Sequence, residues 1–257
     1  MKKIILSFLA ILHTAFSFGQ SREELQKIAD DIMSKATLIY ELESAAWIAT
    51  DTVMTRPGFN KKEIEGYVCY KANEITLCIF YNKENTVVAE ASFSNGNHPQ
   101  ITYVKRPSAP VELDLITIKR TIIDKISKKQ IKQFRIEPNT TYNLVPIIIN
   151  NENYCYLINA ISDTTKTILG RDCRIKLDNK GIATEVTYNH KSLQYLPFNV
   201  KDVQAFYHTH VLDNFFLETE IATTLLYKNY LPTDQFMVMG RKFTFTWNTT
   251  TMSLTIK

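Results

Sequence analysis

A chain of 257 residues, 45% of them hydrophobic, is long enough for one sizeable core or two small ones. Only seven glycines and eight prolines among plentiful aromatic and β-branched residues exclude a disordered chain. The formal net charge of +4 is too mild to point to a nucleic-acid partner.

The opening stretch, MKKIILSFLAILHTAFSFGQ, runs from two lysines through an apolar segment, Ile4 to Phe16, into small residues before Gln20. This is the order of a secretory signal peptide with cleavage after Gly19, so residues 1–19 read as a leader. A retained membrane anchor is the alternative, although the run is too short to cross a bilayer comfortably. No cysteine follows it, so no lipoprotein attachment site is visible. No later run approaches the roughly 20 apolar residues of a transmembrane helix, and the mature chain is expected in the periplasm or outside the cell. Export would place Cys69, Cys78, Cys155 and Cys173 in an oxidising compartment.

SREELQKIADDIMSKATLIYELESAAWIAT begins with Ser21 and Glu24 at capping-box spacing, and apolar residues then recur at steps of three and four. The pattern predicts an amphipathic helix to about Thr50, stopped by Arg56-Pro57-Gly58. Gly66 to Ser94 reads as a three-stranded meander broken by KANE and NKEN, closed by the loop SNGNHPQ. A turn at Asn73 and Glu74 sets Cys69 opposite Cys78.

Between Pro110 and Arg135, Leu115, Ile118, Ile122 and Ile126 predict a second helix. It carries Lys119, Arg120, Lys125, Lys128, Lys129, Lys132 and Arg135, which read either as a solvated face or as contact with an anionic membrane surface. Strands follow at Leu144 to Ile149, Tyr154 to Ile161, Ile168 to Leu177 and Ile182 to Tyr188, the last two joined at Gly181. A turn about Thr164 would set Cys155 opposite Cys173. For both cysteine pairs, a cross-strand disulfide and buried free thiols remain open.

The chain ends with a strand at Val203 to His210, a helix at Glu218 to Asn229, and strands at Phe236 to Met239, Lys242 to Trp247 and Met252 to Ile256. The fold class is therefore α+β: an N-terminal helix and meander, then a mostly antiparallel sheet with an inserted helix. A boundary near Pro107 to Pro110 divides residues 20–109 from 110–257, with one shared core as the alternative. Trp47 and Trp247 fall within periodic elements and read as core.

The stretch AFYHTHVLDNFFLETEIATTLLYK carries the chemistry. Strand alternation sends His208 and His210 to one face, and the next helix opens near Glu220. Two imidazoles, a carboxylate and a water satisfy zinc's four-coordinate preference. His98 in a polar loop and His190 after a strand lack ligand spacing to the pair. Neither a Gly-x-Ser-x-Gly elbow nor a glycine-rich phosphate loop occurs.

The FYHTH strand, its short loop and the helix start in LETEIATTLL resemble the JAB/JAMM metalloprotease family. The resemblance implies zinc held by His208, His210 and Glu220, with an upstream carboxylate as general base, for which Glu152 and Glu185 are the candidates. Leu217 stands where that family has a serine, glutamate replaces its aspartate, and the loop is one residue shorter. The whole chain is also similar to uncharacterised exported bacterial proteins, through GYVCY, LGRDCRIKLDNKG and the His-x-His strand. Two readings follow: a non-catalytic binding or assembly module for a protein or peptide partner on a degenerate JAMM-like fold, and a zinc-dependent metallopeptidase or isopeptidase.

Overall fold

The structure, a computed structural model, describes residues 21–94, 98–131, 134–188, 192–210 and 216–257. The expected leader, Lys132 and His190 lie outside these residues. The described fold is α+β, with three α-helices and mostly antiparallel sheets.

Helix α1 (Arg22–Thr55) starts on the capping box: Ser21 Oγ accepts from Glu24 N–H at 3.2 Å, and Glu24 Oε2 accepts from Ser21 N–H at 2.7 Å. It runs one turn past the expected end, because Arg56 is the first residue forced to extended backbone by the proline after it. Its buried stripe is rich in alanine, with Ala36, Ala46 and Ala49 among Ile32, Ile39, Leu42 and Val53, so neighbouring elements approach closely.

Strands β1 (Gly66–Ala72), β2 (Ile75–Tyr81) and β3 (Thr86–Phe93) form the meander. Asn73 takes positive φ (55°) in the first turn, and Cys69 and Cys78 are cross-strand partners joined by a disulfide. Two short strands that the sequence pattern did not signal, β4 (Gln100–Thr102) and β5 (Arg106–Pro107), pair with β3. Helix α2 (Pro110–Ser127) ends well short of Arg135. Lys129 adopts φ 55°, Gln130 N–H reaches Lys125 O at 2.8 Å and Lys129 N–H reaches Ile126 O at 3.0 Å, a Schellman closure without glycine.

Strands β6 (Thr140–Ile149) and β7 (Glu152–Ile161) make a long hairpin whose turn residues Asn150 and Asn151 both have positive φ. The expected single strand Ile168 to Leu177 is two, β8 (Lys166–Leu169) and β9 (Cys173–Leu177), broken by Gly170 (φ 102°) and Arg171 (φ 58°). Only β9 pairs with β7, and β8 leaves to pair with β11 (Gln194–Pro197), after β10 (Ala183–Tyr188) has paired with β9. The second cysteine pair is therefore corrected. The register sets Cys173 against Leu157 and Cys155 against Ile175, so the thiols are offset rather than opposed, and both are buried and free.

The last sheet joins β12 (Phe206–Thr209), β13 (Gln235–Met239), β14 (Thr244–Asn248) and β15 (Ser253–Ile256) in that order. Helix α3 (Glu218–Leu226) lies between β12 and β13 in sequence, and the crossover makes that pair parallel.

Three apolar clusters hold the elements together. One packs α1 on Cys78, Phe80, Val88 and Ala91 of the meander and on Val145, Tyr156 and Ile158 of the β6–β7 hairpin. A second packs α2 on Val68 and Ile79 of the meander, Leu157 of the hairpin and Ile175 of β9. The third sets the start of α1 against α3 and the last sheet, where Phe236, Val238, Phe245 and Trp247 are buried. Residues on both sides of Pro110 share the first two clusters.

Candidate metal centre

Strand β12 alternates: Tyr207 is 67% exposed, whereas the His208 side chain turns inward and is 17% exposed. His210 continues the alternation just past the strand, its N–H bonded to Met239 O at 2.9 Å and its side chain buried. Both imidazoles thus face the start of α3. Phe216, buried beside that helix start, lies edge-on to the His208 ring.

Glu220 is the third residue of α3, and its side chain is fully buried. Its Oε2 accepts the N–H of Leu217, the residue before the helix, at 3.1 Å. Its Oε1 lies 2.8 Å from His208 Nε2 and 3.3 Å from His210 Nε2, and the two Nε2 atoms are 2.9 Å apart. Burial pushes the Glu220 carboxyl up, but hydrogen bonds and charge from His208 and His210 outweigh burial and hold it well below the usual carboxylate range. The positive end of the helix dipole also favours an anion there.

These three residues could hold a metal ion. A tetrahedral ion with ligands about 2 Å away sets those ligands about 3.3 Å apart, close to the edges of this triangle. Imidazole nitrogen and carboxylate oxygen suit a first-row divalent ion. No other His, Cys, Asp or Glu joins the group among the described residues.

The other sequence candidates lie elsewhere. Glu152 pairs with Lys176 at 2.5 Å and accepts the Tyr154 hydroxyl. Glu185 pairs with Arg174 at 3.1 Å and accepts from Thr187 Oγ1 at 2.8 Å. Both are partly exposed on the β7–β9–β10 sheet and engaged there, so neither stands with the histidines. Two residues of the basic stripe of α2 are engaged with the sheet side. Lys119 is turned inward, donating to Tyr67 O at 2.9 Å with its ammonium 3.8 Å from the Tyr67 ring centre, and Arg120 donates to Asn85 Oδ1 at 2.6 Å.

Sequence reasoning missed the residues behind the triad. Arg174 Nη1 donates to Glu218 Oε1 at 2.9 Å, and the Tyr156 hydroxyl reaches the same oxygen at 3.2 Å. Asp172 is buried, accepts Asn159 N–H at 2.8 Å, and is pushed up to about 7 by burial, against the lowering effect of Asn159 and the Thr219 side chain. The available signal was an aspartate just ahead of the strand Cys173–Leu177, in the stretch DCRIKL.

Compared with protein-family models, with curated proteins and with solved structures, the chain gives no match.

Proposed function

We propose that this is an exported zinc-binding protein in which His208, His210 and Glu220 hold one ion, on a C-terminal half similar to a degenerate JAB/JAMM domain, and that it acts by engaging a peptide or protein partner. The observation that carries the reading is the convergence of three ligand atoms from β12 and α3, with edges of 2.8, 2.9 and 3.3 Å. Two neutral imidazoles and one carboxylate neutralise part of the ion's charge and leave a coordination position that a carbonyl or carboxylate of the partner fills. A binding role is favoured over hydrolysis by two features. Leu217 offers no side-chain donor at the helix start, where the resembling family stabilises its reacting carbonyl, and a lost donor of that kind typically costs roughly 10²-fold or more in rate. Glu152 and Glu185 are both engaged away from the histidines.

Three ligands among the described residues are also the count of catalytic zinc sites, which favours zinc-dependent peptide or isopeptide hydrolysis as a second reading. One experiment bears on both. Protein purified without a chelating tag is expected to carry about one zinc per chain, and a His208→Ala/His210→Ala variant none. No zinc in the parent protein overturns the site. Zinc-dependent cleavage of peptide or isopeptide substrates, absent in the variant, would replace the binding role with the hydrolase.

A further inference from the structure

The first turn of α3 is Glu218, Thr219 and Glu220. A first helical turn is held by fewer intrahelical bonds than the turns after it, so its aim depends on what it docks against. Here it docks on the start of β9. Arg174 and Tyr156 hold Glu218, and Asp172, two residues before Arg174, meets the side chain of Thr219. Asp172 is 2% exposed and anchored in turn by the Asn159 N–H.

A buried carboxylate with no cation beside it normally costs several kcal/mol and is replaced by a neutral residue. None of the described residues supplies Asp172 with a cation, and its charged neighbour is Glu220, which raises it further. Next to it, Asn159 Oδ1 and Thr223 Oγ1 are buried without a partner among the described residues, and Thr223 is one turn along α3 from Thr219 on the same face. A polar cluster this costly to stability at the back of a ligand-bearing turn has a function if a dication sits in front of it.

We infer that Asp172 is the positioning residue of the metal centre, setting the aim of Glu220 through Thr219. The inference rests on the metal-site reading above. Asp172 is not itself a ligand: it acts as the outer carboxylate that orients an inner one, a role whose loss typically lowers metal affinity by 10- to 100-fold.

The test is titration of the metal-free protein with Co²⁺, whose visible absorption reports ligand geometry, followed by competition with Zn²⁺. Asp172→Asn replaces the carboxyl anchor at nearly constant volume, whereas Thr219→Val removes only the link. Both are expected to bind Co²⁺ about 10-fold or more weakly. Both should also show an altered visible spectrum at saturation, which a merely stabilising residue would not change. Parent and variants binding with the same affinity and spectrum overturn the inference while leaving the metal centre intact. A parent protein that binds no Co²⁺ overturns both. Should Asp172→Asn fail to fold, Thr219→Val decides alone.

Discussion

Glu220 divides its carboxylate between two tasks, with Oε2 closing the start of α3 and Oε1 facing the histidines. Spacing alone therefore showed the His-x-His face and the acidic helix start, but Glu218 and Glu220 are equally acidic in sequence. The helical rotation between them sends one to Arg174 and the other to the imidazoles. Glu43 is a different case, a carboxylate inside the contact of α1 with the sheets. Burial pushes it from 4.5 to about 7, against the opposing pull of Lys119, Trp47 and Asn143, and burial pushes Lys119 down. Between those two pH values the folded chain retains a proton that the unfolded chain releases, so this group's contribution to stability falls as pH rises from about 4.5 to about 7. Denaturant midpoints measured across that range are expected to slope less steeply upward, or more steeply downward, in the parent than in Glu43→Gln. The two should diverge by about 1–3 kcal/mol at pH 7.5 relative to pH 5. Parallel profiles would refute the buried-carboxylate account.

At the scale of elements, the hairpin β1–β2 was fully legible, because a two-residue turn with asparagine at positive φ dictates its register and hence the facing cysteines. The Cys69–Cys78 bond closes a short loop. Replacing both residues with serine is expected to cost about 2–3 kcal/mol in chemical denaturation on the chain-entropy relation. Equal stability of the oxidised protein and the double variant would remove that contribution. The β8–β9 segment was not legible in the same way. Gly170, Arg171 and Asp172 interrupt its apolar residues, but a short polar interruption also fits one strand, and the bend there goes with β8 pairing with β11 farther along the chain. The same bend separates Cys155 from Cys173 and brings Asp172 to α3. Helix α2 shows a further limit of periodicity: its apolar spacing continues to Ile126, but nothing in that spacing tells which lysine faces inward.

Across the whole molecule, α1 is the common wall. Its central residues Ile39, Leu42 and Ala46 pack on the meander and the β6–β7 hairpin, and its early residues Ile32 and Ala36 pack on Ile221, Phe236 and Trp247. A fragment of residues 110–257 lacks that wall and the meander, exposing apolar surface from all three clusters. It is expected to show no cooperative thermal unfolding by circular dichroism, whereas residues 20–257 unfold in one sharp transition. A sharp transition in the fragment would make it a domain of its own.

Local interactions explain what was legible from sequence alone. Caps, turn residues and the periods of 3.6 and 2 act within a few residues, so they determined the α+β class, most elements and the shared face of His208 and His210. Tertiary packing decided the rest, because it joins residues far apart in sequence: Glu220 to the histidines across a loop, Arg174 to Glu218, Asp172 to Thr219, and α1 to the sheets, the β8–β11 pair included through Leu169 and Leu196.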